Sequence, residues 1–218
     1  MPNVLRLDEL CRLLSAGINV VTTCGAFHYP PSMDPEMRAT VEAACELGGA
    51  SVHSTGSSPG FITEAVPLVL TSIQRQLTAL AIDEYADLSQ RNSPDLLRPL
   101  MGFGREAGPF EQFRADHSRP SFGPSLQLVA DAIGLPLDSV EASGELAKAS
   151  RETGWHVSLD GDAPLEVMLR VPIPLDRMAD VSPAYTANRA VNAVPLVCAA
   201  GPGVHTTLDL PQVVATLS

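Results

Sequence analysis

Two apolar runs, each breaking into a loop and then a helix, constrain this chain more than any other feature. Gly17–Pro31 (GINVVTTCGAFHYPP) reads as a buried strand ending in a loop, and Met33–Gly49 as the helix that leads on. Val52–Phe61 (VHSTGSSPGF) repeats the pattern with a glycine-rich turn, and Ile62–Ile73 places apolar residues at helical spacing behind it. Two successive strand–helix units predict parallel strands, because a crossover helix returns the chain to the same end of the sheet. Ligands of open parallel sheets bind outside the carboxyl ends of the strands, and both loops leave at that edge. A turn of this kind, leading into a helix, offers free backbone N–H groups and the positive end of a helix dipole to a phosphate, a carboxylate or an amide. An ordinary tight strand-to-helix connection has the same sequence.

Val4–Gly17 is expected to be a helix with Leu5, Leu7, Leu10, Leu13 and Leu14 on one face; it needs a sheet to pack on, and Leu10, Leu13 and Leu14, with Val20 and Val21 on the first strand, are expected to stay partly uncovered. Leu77–Ser89 reads as a long strand with one polar face. Arg91–Pro124 loosens into Pro, Gly and short turns, and Ser125–Gly134 is a short amphipathic helix followed by strand-like Leu137–Ser143. Trp155–Asp160 and Pro164–Pro172 alternate around an Asp160-Gly161 hairpin signal and should extend the Leu77–Ser89 sheet. Their apolar alternation, at Val157 and Leu159 and at Leu165, Val167 and Leu169, predicts an open sheet face used between copies of the chain. Thr186–Gly201 is an Ala-rich helix with Pro195 inside it. The order predicts an α/β fold: part of a nucleotide-binding parallel sheet over 1–76, an α+β domain with an open mixed sheet over 77–185, and a closing helix and tail over 186–218.

With 218 residues and 45% hydrophobic content the chain can bury a full core. Its net charge of −11 comes without any Lys/Arg cluster, which argues against nucleic acid or an anionic membrane as the main partner. No apolar run approaches the roughly 20 residues of a membrane span. Acidic residues interrupt the apolar pattern of the first 14 positions, so they do not read as a secretory signal. Four cysteines without a C-x-x-C pair suit reduced thiols, and a cytoplasmic location is expected.

Candidate chemistry clusters at the two loops. Thr22, Thr23, Cys24 and Gly25 end the first strand, where their backbone and hydroxyls either meet a ligand or cap the strand. His28 and Tyr29 follow and suit proton delivery near neutral pH, or simple loop packing. Glu84, Tyr85 and Asp87 on the long strand line a cleft or a solvated face. Asn188 and Asn192, four apart on the last helix, reach a ligand or brace a loop. His53 reads as a core histidine, and His117, His156 and His205 lack metal-ligand spacing, so no metal is expected. Gly102–Ala107 formally fits the dinucleotide fingerprint G-x-G-x-x-A, but a helical segment precedes it and Pro109 follows, so it is rejected as a phosphate cradle.

TTCGAFHYPP, GSSPGFITEAVPLVLT and RAVNAVPLVCAAGPGVHTTLDLP together resemble the dihydrodipicolinate-reductase-like oxidoreductases. Within that group they look most like the 2,4-diaminopentanoate dehydrogenase and amine dehydrogenase branch. The resemblance covers nearly the whole chain. It implies a C-terminal part of a Rossmann domain that binds NAD(P)H, joined to an α+β substrate and dimerisation domain. It also implies that Thr22, Thr23, Cys24 and Gly25, with Gly56, Ser57, Ser58, Pro59, Gly60 and Phe61, sit beside the nicotinamide, with Asn192 on the bracing helix.

The implied reaction is hydride transfer to a C=O or C=N carbon of a small amine or amino-acid-like substrate, in a homodimer or higher homo-oligomer. His28 and Tyr29 would deliver the proton, and Glu84 and Tyr85 would shape the substrate side. Three features depart from the family pattern. The opening βαβ unit with its glycine fingerprint has no counterpart here, so Met1 is expected near the middle of the Rossmann domain and NAD(P)H binding is expected to be weak. Gly25 and Ala26 stand where the amine dehydrogenase branch has an acid, and YADLSQR (85–91) stands where true dihydrodipicolinate reductases carry His-His-x-x-Lys. A catalytically silent α/β domain with a role in dimerisation or partner binding is the alternative reading.

Overall fold

A computed structural model describes residues 6–104, 110–135, 137–145 and 152–215. The chain divides into two compact units: Met1–Val69 with Ser121–Leu137 and Ala184–Ser218, and Leu70–Pro120 with Asp138–Pro183.

The first unit is built on a parallel sheet. β1 (Val20–Thr22) pairs with β2 (Ser51–Ser54) in the register Val20 to Val52, as two strand–helix units require. The intervening α2 (Pro35–Gly48) starts on Asp34, whose carboxylate accepts the Met37 amide at 2.9 Å, with proline at the first helical position. β6 (Gly203–His205) adds to the far side of β2, parallel again, with Val52 opposite Val204. That third strand was not expected from the sequence. Among the described residues β1 has no partner on its outer side.

α1 (Leu7–Ser15) packs on α2, and the expected uncovering holds only in part: Leu13, Val20 and Val21 are half-buried, whereas Leu10 and Leu14 are fully buried with Val41, Cys45, Ala50 and Val52. Gly48 is the reason: a Cβ at this position would lie 1.9 Å from the Leu14 carbonyl oxygen, so its absence lets the two helices close on one another.

The second unit is an antiparallel sheet of order β3–β4–β5: Leu77–Tyr85, Gly154–Gly161 and Leu165–Arg170. The expected hairpin is present, but its turn falls after Gly161, where the Asp162 carboxylate accepts the Arg75 and Gln76 amides. Val157 and Leu159 are buried and Leu165, Val167 and Leu169 half-buried, so the apolar face is less open than their alternation suggested. The opposite face is polar, with His156 3.2 Å from Asp83 and 3.8 Å from Glu166.

Three further expectations change. α4 runs from Gln112 to Ala132, well beyond the short helix read from Ser125, and α5 from Met178 to Ala199 rather than from Thr186. Both contain prolines that read as breakers, yet each proline removes only one backbone donor, and a long helix can continue past it. Leu137–Ser143 forms no strand. Among the described residues no helix is long and apolar enough to cross a membrane.

Candidate functional site

The two loops expected at the carboxyl edge are tied to one another. The Thr55 amide donates to the Thr22 carbonyl at 2.9 Å, and the Ser54 hydroxyl donates to the Cys24 carbonyl at 2.7 Å. Thr22 Oγ1 accepts the Cys24 amide at 3.2 Å, so this threonine shapes its own turn. Thr22, Cys24 and Gly25 are half-buried, and Thr23 is exposed.

The second loop fits one of its two sequence readings. The Ser57 amide donates to Thr186 Oγ1, the Gly60 amide to Thr63 Oγ1 at 2.9 Å, and the Phe61 amide to the Gly56 carbonyl at 2.8 Å. The Ser57 and Thr186 hydroxyls share a hydrogen bond of 2.7 Å. Three amides of this loop are thus satisfied within the chain, as the ordinary-connection reading of its sequence requires, so the loop contributes shape rather than an anion cradle. Gly56 and Gly60 are buried, and Ser58 and Pro59 half-buried. Gly60, at φ +121°, would place a Cβ 3.5 Å from His28 Cε1 and 3.3 Å from Thr55 Oγ1, which only glycine accommodates without strain. Ser58, Pro59 and Gly60 are non-helical, and the helical turn that follows them leads into α3 (Val66–Thr71).

Behind these loops lies a buried polar cluster. His28, 1% exposed, donates from Nδ1 to Glu64 Oε1 at 2.5 Å, and Glu64 is fully buried. The Thr207 hydroxyl donates to the other carboxylate oxygen. A carboxylate only accepts, so the Nδ1 proton of His28 is committed and its Nε2 is the atom left over. That Nε2 is buried and has no hydrogen-bond partner among the described residues. An unpaired buried polar atom is costly, and a water, an ion or a reacting group accounts for such atoms.

Arg189 and His53 complete the cluster. Arg189 Nε donates to Thr55 Oγ1 at 3.0 Å and its guanidinium lies 5.6 Å from the centre of the Phe61 ring. Burial pulls the Arg189 pKa below its ordinary value, an effect opposed by the nearby Glu64 carboxylate. His53 donates from Nδ1 to the His205 carbonyl at 2.8 Å, and burial lowers its pKa, which keeps the ring neutral.

The structure brings together some of the sequence candidates and adds others. His28 is at the centre of the cluster. Glu64, Arg189 and Thr207 were not singled out. A signal for Glu64 exists in the sequence, a lone acid inside the apolar helical run Ile62–Leu70. The Tyr29 hydroxyl donates to Asp131 at 2.6 Å, and that bond, with burial and the aspartate charge, pushes its pKa up to about 12. Asn192 is half-buried on α5, three residues beyond Arg189. Glu84 and Tyr85 belong to the second unit, at the end of β3 opposite Trp155 and Gly154; Glu84 is exposed and Tyr85 lines a shallow groove with Met168 and Arg170. Gly102–Gly104 follows the helical turn Leu96–Leu100 rather than a strand, and residues 105–109 of that false fingerprint lie outside the described residues. Among the described residues no group of three metal-ligating side chains stands together.

No protein-family model matches the chain. It is 29% identical over 145 residues to an amine dehydrogenase of Streptomyces virginiae, covering 64% of this chain and 39% of that protein. A 2,4-diaminopentanoate dehydrogenase of Acetoanaerobium sticklandii is 23% identical over 247 residues, covering 94% of this chain and 69% of that protein. The matched stretch therefore spans well under half the length of the first relative and about two thirds of the second. Among solved structures, an amine dehydrogenase from Mycobacterium smegmatis superposes with a TM-score of 0.69 at 16% identity, over 96% of this chain and 73% of the other. The chain has the mixed α/β, Rossmann-type fold of that dehydrogenase.

Proposed function

We propose that this chain is a nicotinamide-dependent oxidoreductase that delivers a hydride to the C=O or C=N carbon of a small amine or amino-acid-like substrate. The observation that carries the reading is the buried His28–Glu64 pair, with His28 Nε2 unengaged, in the loop after β1. The similarity to two proteins named as dehydrogenases supports it.

The residues described fit the nicotinamide end of such a cofactor. Thr22–Gly25 and Gly56–Phe61 form the strand-end loops over which a flat ring would lie, and Gly60 keeps the wall thin beside His28. They do not supply a pyrophosphate cradle, because the amides of Ser57, Gly60 and Phe61 already have partners. Weak binding of NADH and NADPH by these 218 residues follows.

When bound, the reduced nicotinamide supplies the hydride. Reduction of a carbonyl or imine also needs one proton, and His28 Nε2 holds and returns it. Glu64 compensates the charge that the ring gains on Nε2, and Thr207 holds Glu64 in place. Tyr29, whose hydroxyl already donates to Asp131, would orient rather than deliver.

The test is turnover at millimolar NADH or NADPH, with ammonia and a panel of small ketones and aldehydes, followed by loss of reduced-nicotinamide absorbance. His28→Ala should lower kcat by about 10²-fold or more with little change in KM. Equal turnover by His28→Ala would remove His28 from the reaction. No turnover with any pair, together with no saturation transfer to nicotinamide protons by NMR, would leave the catalytically silent domain as the better reading.

A further inference from the structure

The first unit holds a cavity of about 210 Å³ lined by His53, Leu68, Arg189, Thr207, Leu210 and Val213, among others. Its walls are mainly aliphatic, and its polar groups differ in whether they remain available. The Thr207 hydroxyl proton is committed to Glu64. His53 donates its Nδ1–H to the His205 carbonyl and is held neutral by burial. Glu64 is fully buried, has both oxygens engaged and does not line the cavity. Arg189 uses only Nε, toward Thr55; its two terminal amino groups make no hydrogen bond or ion pair among the described residues. The unengaged charge on the cavity wall is therefore a cation, half-desolvated and surrounded by apolar side chains.

We propose that this cavity binds a short-chain monocarboxylate, with its carboxylate on the terminal amino groups of Arg189 and its alkyl chain against Leu68, Leu210 and Val213. A guanidinium presents two parallel donors that match a carboxylate, and charge-assisted bonds of this kind are about twice as strong as neutral ones. A cavity of about 210 Å³ has room for a carboxylate with a short alkyl chain, and pentanoate serves as the probe of that class. A phosphate would leave the aliphatic walls without a partner. The inference does not depend on the hydride-transfer reading, because it uses no cofactor and no turnover.

The experiment is an NMR titration of the 218-residue chain with pentanoate, pentan-1-ol and pentylamine, reading the methyl signals of Leu68, Leu210 and Val213. Pentanoate should bind about tenfold or more tightly than pentan-1-ol, and pentylamine should not bind. Arg189→Met should weaken pentanoate by about tenfold, and Arg189→Lys by less, because the charge stays but the fork is lost. Val213→Trp fills the cavity while leaving Arg189 in place, and should also abolish binding. Equal binding of the acid and the alcohol overturns the proposal, as does unchanged pentanoate affinity in Val213→Trp. Should Arg189→Met fail to fold, the alcohol comparison and Val213→Trp decide the matter.

Discussion

Glu64 offers the sharpest test of how the first unit is held together, because two substitutions there separate charge from shape. Its carboxylate is fully buried and accepts from His28 Nδ1 and from Thr207. Glu64→Ala removes both acceptors and leaves a small void. His28 cannot escape to water, since it is 1% exposed, and moving its proton to Nε2 leaves Nδ1 as an unpaired acceptor instead. Thr207 is only half-buried and can turn its hydroxyl to solvent. One fully orphaned ring atom at about 1–3 kcal/mol, together with the void, gives an expected loss of about 3–5 kcal/mol. Glu64→Gln keeps the shape. Its carbonyl still accepts from Thr207, and its amide can donate to Nδ1 once the ring proton moves to Nε2, so the loss should be about 1–1.5 kcal/mol.

The assay is urea unfolding followed by far-UV circular dichroism. The single tryptophan, Trp155, lies in the second unit and would report the wrong region. Long-range nitrogen–proton correlation spectra of His28 give an independent readout, with the proton on Nδ1 in the parent chain and on Nε2 in Glu64→Gln. A Glu64→Ala variant within about 1 kcal/mol of the parent, or equal losses for Ala and Gln, would refute the reasoning. So would a parent His28 protonated on Nε2 alone.

Other expectations follow from single contacts. Gly48→Ala should destabilise the first unit by about 3 kcal/mol or more despite a gain of about 1 kcal/mol in helix propensity, because its Cβ meets the Leu14 carbonyl oxygen at 1.9 Å; thermal unfolding reads the sign. Burial lowers the His53 pKa, so the unfolded chain takes up a proton first as pH falls through the ordinary value of 6.5, and stability is lost below that pH. Replacing His53 with Asn, which can still donate to the His205 carbonyl, should remove up to about 1.4 kcal/mol per pH unit of that dependence, measured by urea unfolding from pH 7 to pH 5. Burial pushes the Cys45 thiol up to about 11, so a thiol reagent at pH 8 should label exposed Cys198 rapidly and Cys45 only on unfolding. Of the three tyrosines, Tyr29 should ionise near 12 in an ultraviolet titration, and Asp131→Asn should bring that step down.

The parts of this fold that are legible in the sequence are those dictated by neighbours in the chain. β1, α2 and β2 follow from apolar runs bounded by Asp34, Pro35 and a glycine pair, all local signals. β6 is not legible in that way. Gly203–His205 is three residues long, follows Pro202, and becomes a strand only because β2 has a free edge to offer it. The helices α4 and α5 were read short for a related reason: proline lowers local preference at Pro120, Pro124 and Pro183, and tertiary packing overrides it.

The site divides along the same line. His28 is recognisable as a loop histidine at the carboxyl edge of a parallel strand, which is a statement about position. What makes it chemically distinct is Glu64, 36 residues later, and Thr207, 143 residues beyond Glu64, and no local pattern links the three. The sequence left two readings of Ser57–Phe61 open, free amides for an anion or an amide and an ordinary strand-to-helix connection; the structure has satisfied amides, as the second reading requires, and an unsatisfied imidazole behind them. The difference bears on which partner the loops suit. Free amides would favour a phosphate and sequence-independent anion binding. The nicotinamide reading proposed above needs instead the close approach that Gly60 allows beside the His28–Glu64 pair. Replacing Gly60 by Ala discriminates between them. The added methyl would force a strained backbone at φ +121° and crowd Thr55 Oγ1 at 3.3 Å, so it should suppress the nicotinamide saturation-transfer signal while leaving inorganic phosphate binding, if any, unchanged. Loss of a phosphate signal instead would restore the cradle and remove His28 from the centre of the site.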